Sequence, residues 1–112
     1  MELIINEKKY SFKFGIAFVR TLNDIAGATM QDMKFGMALS TTLPSLQADD
    51  PSALSDVLFA ANATEKPRLT RNEIDNYLDN DADLEKLFDE TIKEITESNA
   101  TKLVAKKMKL GK

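Results

Sequence analysis

Along the chain, apolar residues first fall two apart and then recur at helical steps. Leu3 and Ile5 are two apart, and Tyr10, Phe12 and Phe14 alternate with Ser11 and Lys13. With Asn6, Glu7, Lys8 and Lys9 between the two runs, this pattern predicts an N-terminal β-hairpin. Strand parity places Leu3, Ile5, Tyr10, Phe12 and Phe14 on one face. A hairpin alone is marginal in water, so helices must cover that face. No glycine follows Asn6, so turn chemistry leaves the register open.

After Gly15 the period changes. Ile16, Val19, Leu22, Ile25 and Ala26 recur at three- and four-residue steps, predicting a helix over about 16–26 with Gly27 as the residue just past its end. A weaker helical pattern runs through Met33, Met37, Leu39 and Leu43 and is interrupted or ended near Pro44. Asp50 followed by Pro51 is a start signal: the carboxylate can cap free amides, and proline at the first helical position lacks an N–H that would go unpaired. Leu54, Val57, Leu58 and Ala61 follow on one side. Pro67 marks a loop. Thr70 and Glu73 have the spacing of a capping box, with Ile74, Tyr77 and Leu78 as the inner stripe. Leu84, Leu87, Phe88, Thr91, Ile92 and Ile95 give the clearest helical repeat in the chain, over about 83–98. The whole reads as an α+β, mostly α-helical single domain of four to five helices with an N-terminal β-hairpin.

A chain of 112 residues supports one core and not two. Its 43% hydrophobic and 29% charged residues place it among globular proteins. The net charge of −3 hides an asymmetry. Acidic residues crowd 73–97, whereas 101–112 carries five lysines and no acid. The domain is therefore expected to span 1–100, with 101–112 a basic tail, either disordered or a helical extension.

Composition also removes chemistries. Histidine and cysteine are both absent, which excludes imidazole bases, thiol nucleophiles, disulfides and the usual zinc ligand sets. Serine and threonine are common but have no recognisable activating partner. Asp89 and Glu90 are adjacent, and residues one apart on a helix do not face one substrate atom. Asp79, Asp81, Asp83 and Glu90 fall at positions 1, 3, 5 and 12 of a calcium loop, yet the sixth position, where that loop needs glycine, is Leu84. An acidic linker leading into a helix N-terminus accounts for them more simply. Four scattered glycines make no phosphate cradle. No apolar run approaches the roughly 18 residues of a membrane span. The reading is of a cytoplasmic protein with no catalytic residues, no metal site, no cofactor, no membrane segment and no nucleic-acid partner.

The order of these features resembles the tail assembly chaperones of long-tailed phages of Gram-positive bacteria. The residues that carry the likeness are the stretch 3–10 with Phe12, Lys13, Phe14 and Gly15, then Asp50 and Pro51 with Leu54, Val57, Leu58, Ala60 and Ala61. Lys66, Pro67 and Arg68, the segment 70–78 with Glu73, Ile74, Tyr77 and Leu78, and the pair Leu87 and Phe88 complete it. The likeness covers about residues 1–100. It departs from the family at the turn, which lacks Asn-Gly, and in the methionine-rich residues 28–40.

The resemblance implies a protein of the host cytoplasm, absent from the finished virion. Such a protein holds the tape measure protein soluble until tail tube subunits polymerise around it. It also implies the short product of a frameshifted gene pair, whose longer form would meet the tail tube protein. Leu110, Gly111 and Lys112 can be encoded by CTG-GGA-AAG, which contains the slippery heptamer GGGAAAG. An adaptable apolar groove is the physical requirement for such a partner. Met33, Met37, Leu54 and Leu58 are its candidate lining, with core packing as the competing account of all four. A homo-oligomer built by head-to-tail contact is compatible with the sequence. The competing class is a structural head-tail connector or tail completion protein that stays in the particle.

Overall fold

The computed structural model describes residues 1–29 and 38–108, with side chains described outside 26–29. Two strands, β1 (Glu2–Ile5) and β2 (Lys8–Ser11), form an antiparallel hairpin. Among the described residues six helices follow: α1 (Ile16–Thr29), α2 (Ala38–Gln47), α3 (Pro51–Asn62), α4 (Arg71–Asn80), α5 (Leu84–Glu97) and α6 (Lys102–Lys107). The Cα radius of gyration, 13.1 Å, is that of one domain of this length.

The hairpin has the expected parity. Leu3 pairs with Tyr10 and Ile5 with Lys8, and the Phe12 N–H extends the ladder by donating to the Met1 carbonyl. Ile5, Tyr10, Phe12 and Phe14 are buried while Ile4, on the opposite face, is 61% exposed. The register is closed by a two-residue turn in which Asn6 and Glu7 have φ of 52° and 66°. Both residues are left-handed, as a type I′ turn requires, so Glu7 stands where glycine would be unstrained. Glu7→Gly is expected to raise unfolding free energy by about 1 kcal/mol, read as a later urea midpoint with unchanged slope. An earlier midpoint would contradict the turn geometry.

Helix boundaries follow local chemistry with two departures. α1 runs through Gly27 to Thr29, so glycine does not end it. α2 contains Pro44 and continues to Gln47. Its real terminus is a Schellman arrangement: the Asp50 N–H donates to the Ser45 carbonyl and the Asp49 N–H to that of Leu46, with Asp49 at φ 61° in the place glycine usually takes. Asp50 then begins α3 at once, accepting from the Ser52 N–H at 2.9 Å and the Ser52 hydroxyl at 2.8 Å, with Pro51 in the first turn.

These bonds favour the charged carboxylate, the Ser52 hydroxyl most and the Ser52 N–H next, and hold the Asp50 carboxyl below its ordinary value. A depressed folded-state value means that the stabilisation is complete above the ordinary aspartate range and fades as pH falls through the lowered value. Asp50→Ala is expected to cost about 1 kcal/mol near neutral pH and less in acid. A loss that is the same at every pH would contradict the cap.

The capping box at α4 is complete: the Thr70 hydroxyl accepts from the Glu73 N–H and the Glu73 carboxylate from the Thr70 N–H. Asp83 caps α5 by accepting from the Lys86 N–H.

The core is one cluster. Phe14 after the hairpin, Phe18 and Leu22 of α1, Leu43 and Leu46 of α2, Leu54 and Leu58 of α3, Ile74 of α4 and Ile95 of α5 all join it. α3 is the central element, packed on α1, α2 and α4. The basic end is more than a tail at its start. Thr101 and Ala105 are fully buried, α6 packs on α5 and α2, and the Thr101 hydroxyl donates to the Ile95 carbonyl at 2.6 Å. The sixth helix is therefore built from residues whose lysines face outward.

Candidate partner-binding surface

Of the four residues expected to line a groove, two can be placed. Leu54 is 0% and Leu58 1% exposed, both inside the core rather than on a surface. Their position on α3 explains it: that helix is covered by α1 on one side and α2 on another. Met33 and Met37 lie outside the described residues. Both helices that flank them pack on α3, and the side-chain carbonyl of Asn23 on α1 accepts from the Ala38 N–H, the first of α2, at 3.1 Å. The start of α2 is thus held against the middle of α1, and both helices pack on the one carrying Leu54 and Leu58.

A residue that sequence reading passed over organises the opposite side of α3. Asn62 is fully buried at the end of α3. Its amide donates to the Ser11 carbonyl at 3.0 Å and the Pro67 carbonyl at 3.2 Å, and its side-chain oxygen accepts from the Leu69 N–H at 2.6 Å. Beside it the Lys13 N–H donates to the Ala61 carbonyl at 2.8 Å. One side chain therefore ties the hairpin, α3 and the loop containing the cis Lys66–Pro67 bond together. The available signal was an asparagine on the apolar side of a helix, which must find partners if buried.

Between α3 and α4 lies a groove of about 320 Å³ with Pro51 and Leu78 among its lining residues and Asp56, Asp75, Asp79 and Arg71 around them. Arg71 donates to Asp56, and the Ser55 hydroxyl donates to Asp75. The Arg71 guanidinium sits 5.1 Å from the centre of the Phe59 ring and that of Arg68 5.6 Å from it. The Arg71 and Asp56 side chains are 42% and 36% exposed, so the pair itself contributes at most about 1 kcal/mol. The groove keeps an excess of carboxylates.

The acidic corner between α4 and α5 is electrostatically the opposite of a reactive centre. Burial, then the carboxylates of Glu90, Asp81 and Asp83, push the Tyr77 phenol above its ordinary value, away from a phenolate usable as base or nucleophile. Asp83 is engaged as a cap and Glu90 lies 3.9 Å from Lys86. Among the described residues no three acidic side chains converge as a metal ligand set, and no described helix is long and apolar enough to cross a membrane. Large apolar side chains left open there are Ile4, Ile16 and Leu103.

Taken together, these features define a small helical domain whose notable elements are surfaces rather than a reactive centre. The chain belongs to the phage tail assembly chaperone family: the model described as phage tail assembly chaperone protein, TAC, matches residues 2–109. The family is non-catalytic, and membership implies binding to phage tail proteins. No match is found among curated proteins, and none among solved structures.

Proposed function

We infer that this chaperone binds the tape measure protein and keeps it soluble in the host cytoplasm while tail tube subunits assemble around it. The observation that carries the reading is the family match over residues 2–109. The chain is the short product of a frameshifted gene pair, and the longer product brings in the tail tube protein. A gene with no slippery heptamer near its 3′ end and no overlapping downstream frame removes that part of the reading.

The partner surface is centred on Met33 and Met37, whose unbranched thioethers adapt to varied apolar helices. Leu54 and Leu58, buried in the free protein, would join it only where α1 or α2 moves off α3. Met33→Asp with Met37→Asp is expected to abolish co-purification of a co-expressed tape measure fragment. The thermal midpoint should stay within a few degrees of the parent. Full retention of the fragment would move the surface elsewhere. Mass spectrometry of purified virions separates this reading from that of a connector: the chaperone is absent, whereas a connector persists in stoichiometric amount.

A further inference from the structure

Cations elsewhere on the surface have found carboxylates. Lys9 lies 3.6 Å from Glu2, Lys86 lies 3.9 Å from Glu90, and Arg71 donates to Asp56. On α6 the exposed Lys102, Lys106 and Lys107 enter no ion pair among the described residues. The buried Thr101 and Ala105 hold the inner side of this helix, so the lysines are fixed outward together with Leu103, which is 67% exposed. At 3.6 residues per turn, Lys102, Leu103 and Lys106 fall on one face. Beside them lies a hollow of about 430 Å³ whose lining is completed by Thr96 of α5. A single exposed leucine is ordinary on a protein surface. A leucine at the mouth of a hollow rimmed by unpaired cations, on a chain of net charge −3, is a surface with a preferred complement: an apolar side chain flanked by carboxylates.

We propose that this face seats an acidic amphipathic helix of the tape measure protein. An apolar side chain of that helix enters the hollow against Leu103, and two carboxylates one turn apart meet Lys102 and Lys106. The spacing of the lysines is the reason for a helix. Positions i and i+4 lie about 5–6 Å apart on a helix surface, so cations four apart on α6 match carboxylates four apart on a second helix. The contact rests on the tape measure reading and adds to the methionine-centred surface one that selects by charge. α6 also packs on α2, which starts at Ala38 directly after Met37, so α2 adjoins both surfaces. Charges this exposed contribute more to selectivity and encounter than to affinity, and their attraction is screened as salt rises from about 0.1 M to 1 M.

Labelled overlapping peptides that tile the tape measure protein, titrated with the full chain and followed by fluorescence anisotropy, test this. The expected binders include peptides with Asp or Glu four apart beside an apolar residue. Lys102→Glu with Lys106→Glu should weaken those peptides at least about tenfold. Replacing the peptide's two acids by lysine should restore binding to that variant and lose it for the parent. Leu103→Ser, which leaves charge unchanged, should also weaken binding about tenfold. Circular dichroism melts within a few degrees of the parent confirm that each variant folds. Peptide binding that survives the charge reversal but is abolished by Met33→Asp with Met37→Asp removes this contact and leaves the tape measure reading standing. No binding by any peptide, nor by the co-expressed tape measure protein, removes both. Displacement of the peptides by duplex DNA with no effect of Leu103→Ser would give the face to a polyanion. Oligomers lost in Leu103→Ser with peptide binding intact would give it to a second copy. Either result overturns the proposal.

Discussion

Asn62→Leu should lower the unfolding free energy by about 4 kcal/mol, a large share of the roughly 5–15 kcal/mol that holds a domain together. The substitution keeps apolar bulk and removes three hydrogen bonds at once. It leaves the Leu69 N–H and the Ser11 and Pro67 carbonyls to find other partners. Leu69 is itself 1% exposed, so its amide has no ready access to water. A buried donor without a partner costs about 1–3 kcal/mol, and the carbonyls add to that. Asn62→Asp keeps the acceptor for Leu69 but loses both donations and buries a charge, so it should be no better tolerated. Urea unfolding reads the difference directly. A loss below about 1 kcal/mol would mean that Asn62 does not tie the hairpin to α3.

Leu54→Ala should cost about 3–5 kcal/mol, as expected when a buried leucine leaves a cavity that neighbours fill only in part. Leu54 is 0% exposed on α3, the helix that packs on α1, α2 and α4. The size of the effect separates two roles for the same residue. A side chain kept open for a partner would lose little when truncated in the free protein, whereas a core side chain loses most of its stabilisation there. A cost under about 1 kcal/mol would return Leu54 to the surface.

Much of the fold was legible because several local signals need only a few residues. Asp50 with Pro51, and Thr70 with Glu73, specify helix starts through hydrogen bonds made within one turn, and both appear as read. Alternation fixed the hairpin face for the same reason. The misses share a different cause. Gly27 looked like a stop, but glycine in a helix costs only about 1 kcal/mol, and α1 passes through it. The true stop after α2 is Asp49, a residue that adopts a left-handed conformation less readily than glycine and is held there by the bonds around it. The basic end reads from sequence as either disordered or a helical extension, and α6 within it was no plainer because its burial depends on Thr101 and Ala105, small residues with little hydrophobic signal.

The candidate site was less legible than the fold. Periodicity says which residues share a helix face, not what covers that face. Leu54 and Leu58 therefore looked the same whether they line a groove or a core, and only the packing of α1 and α2 on α3 decides their place in the free protein. Asn62 was hidden for the converse reason. Its partners, Ser11 and Leu69, lie 51 and seven residues away, on separate elements whose meeting no local pattern encodes.

The central claim is that this chain acts by holding an aggregation-prone tail protein in solution. Expressing the tape measure protein alone and together with the full chain, and measuring the fraction left in the supernatant after ultracentrifugation, tests that most directly. The account predicts a largely insoluble tape measure protein alone, and a soluble one that co-elutes with the chaperone when both are present. A tape measure protein equally soluble without the chaperone, or equally insoluble with it, would contradict the claim.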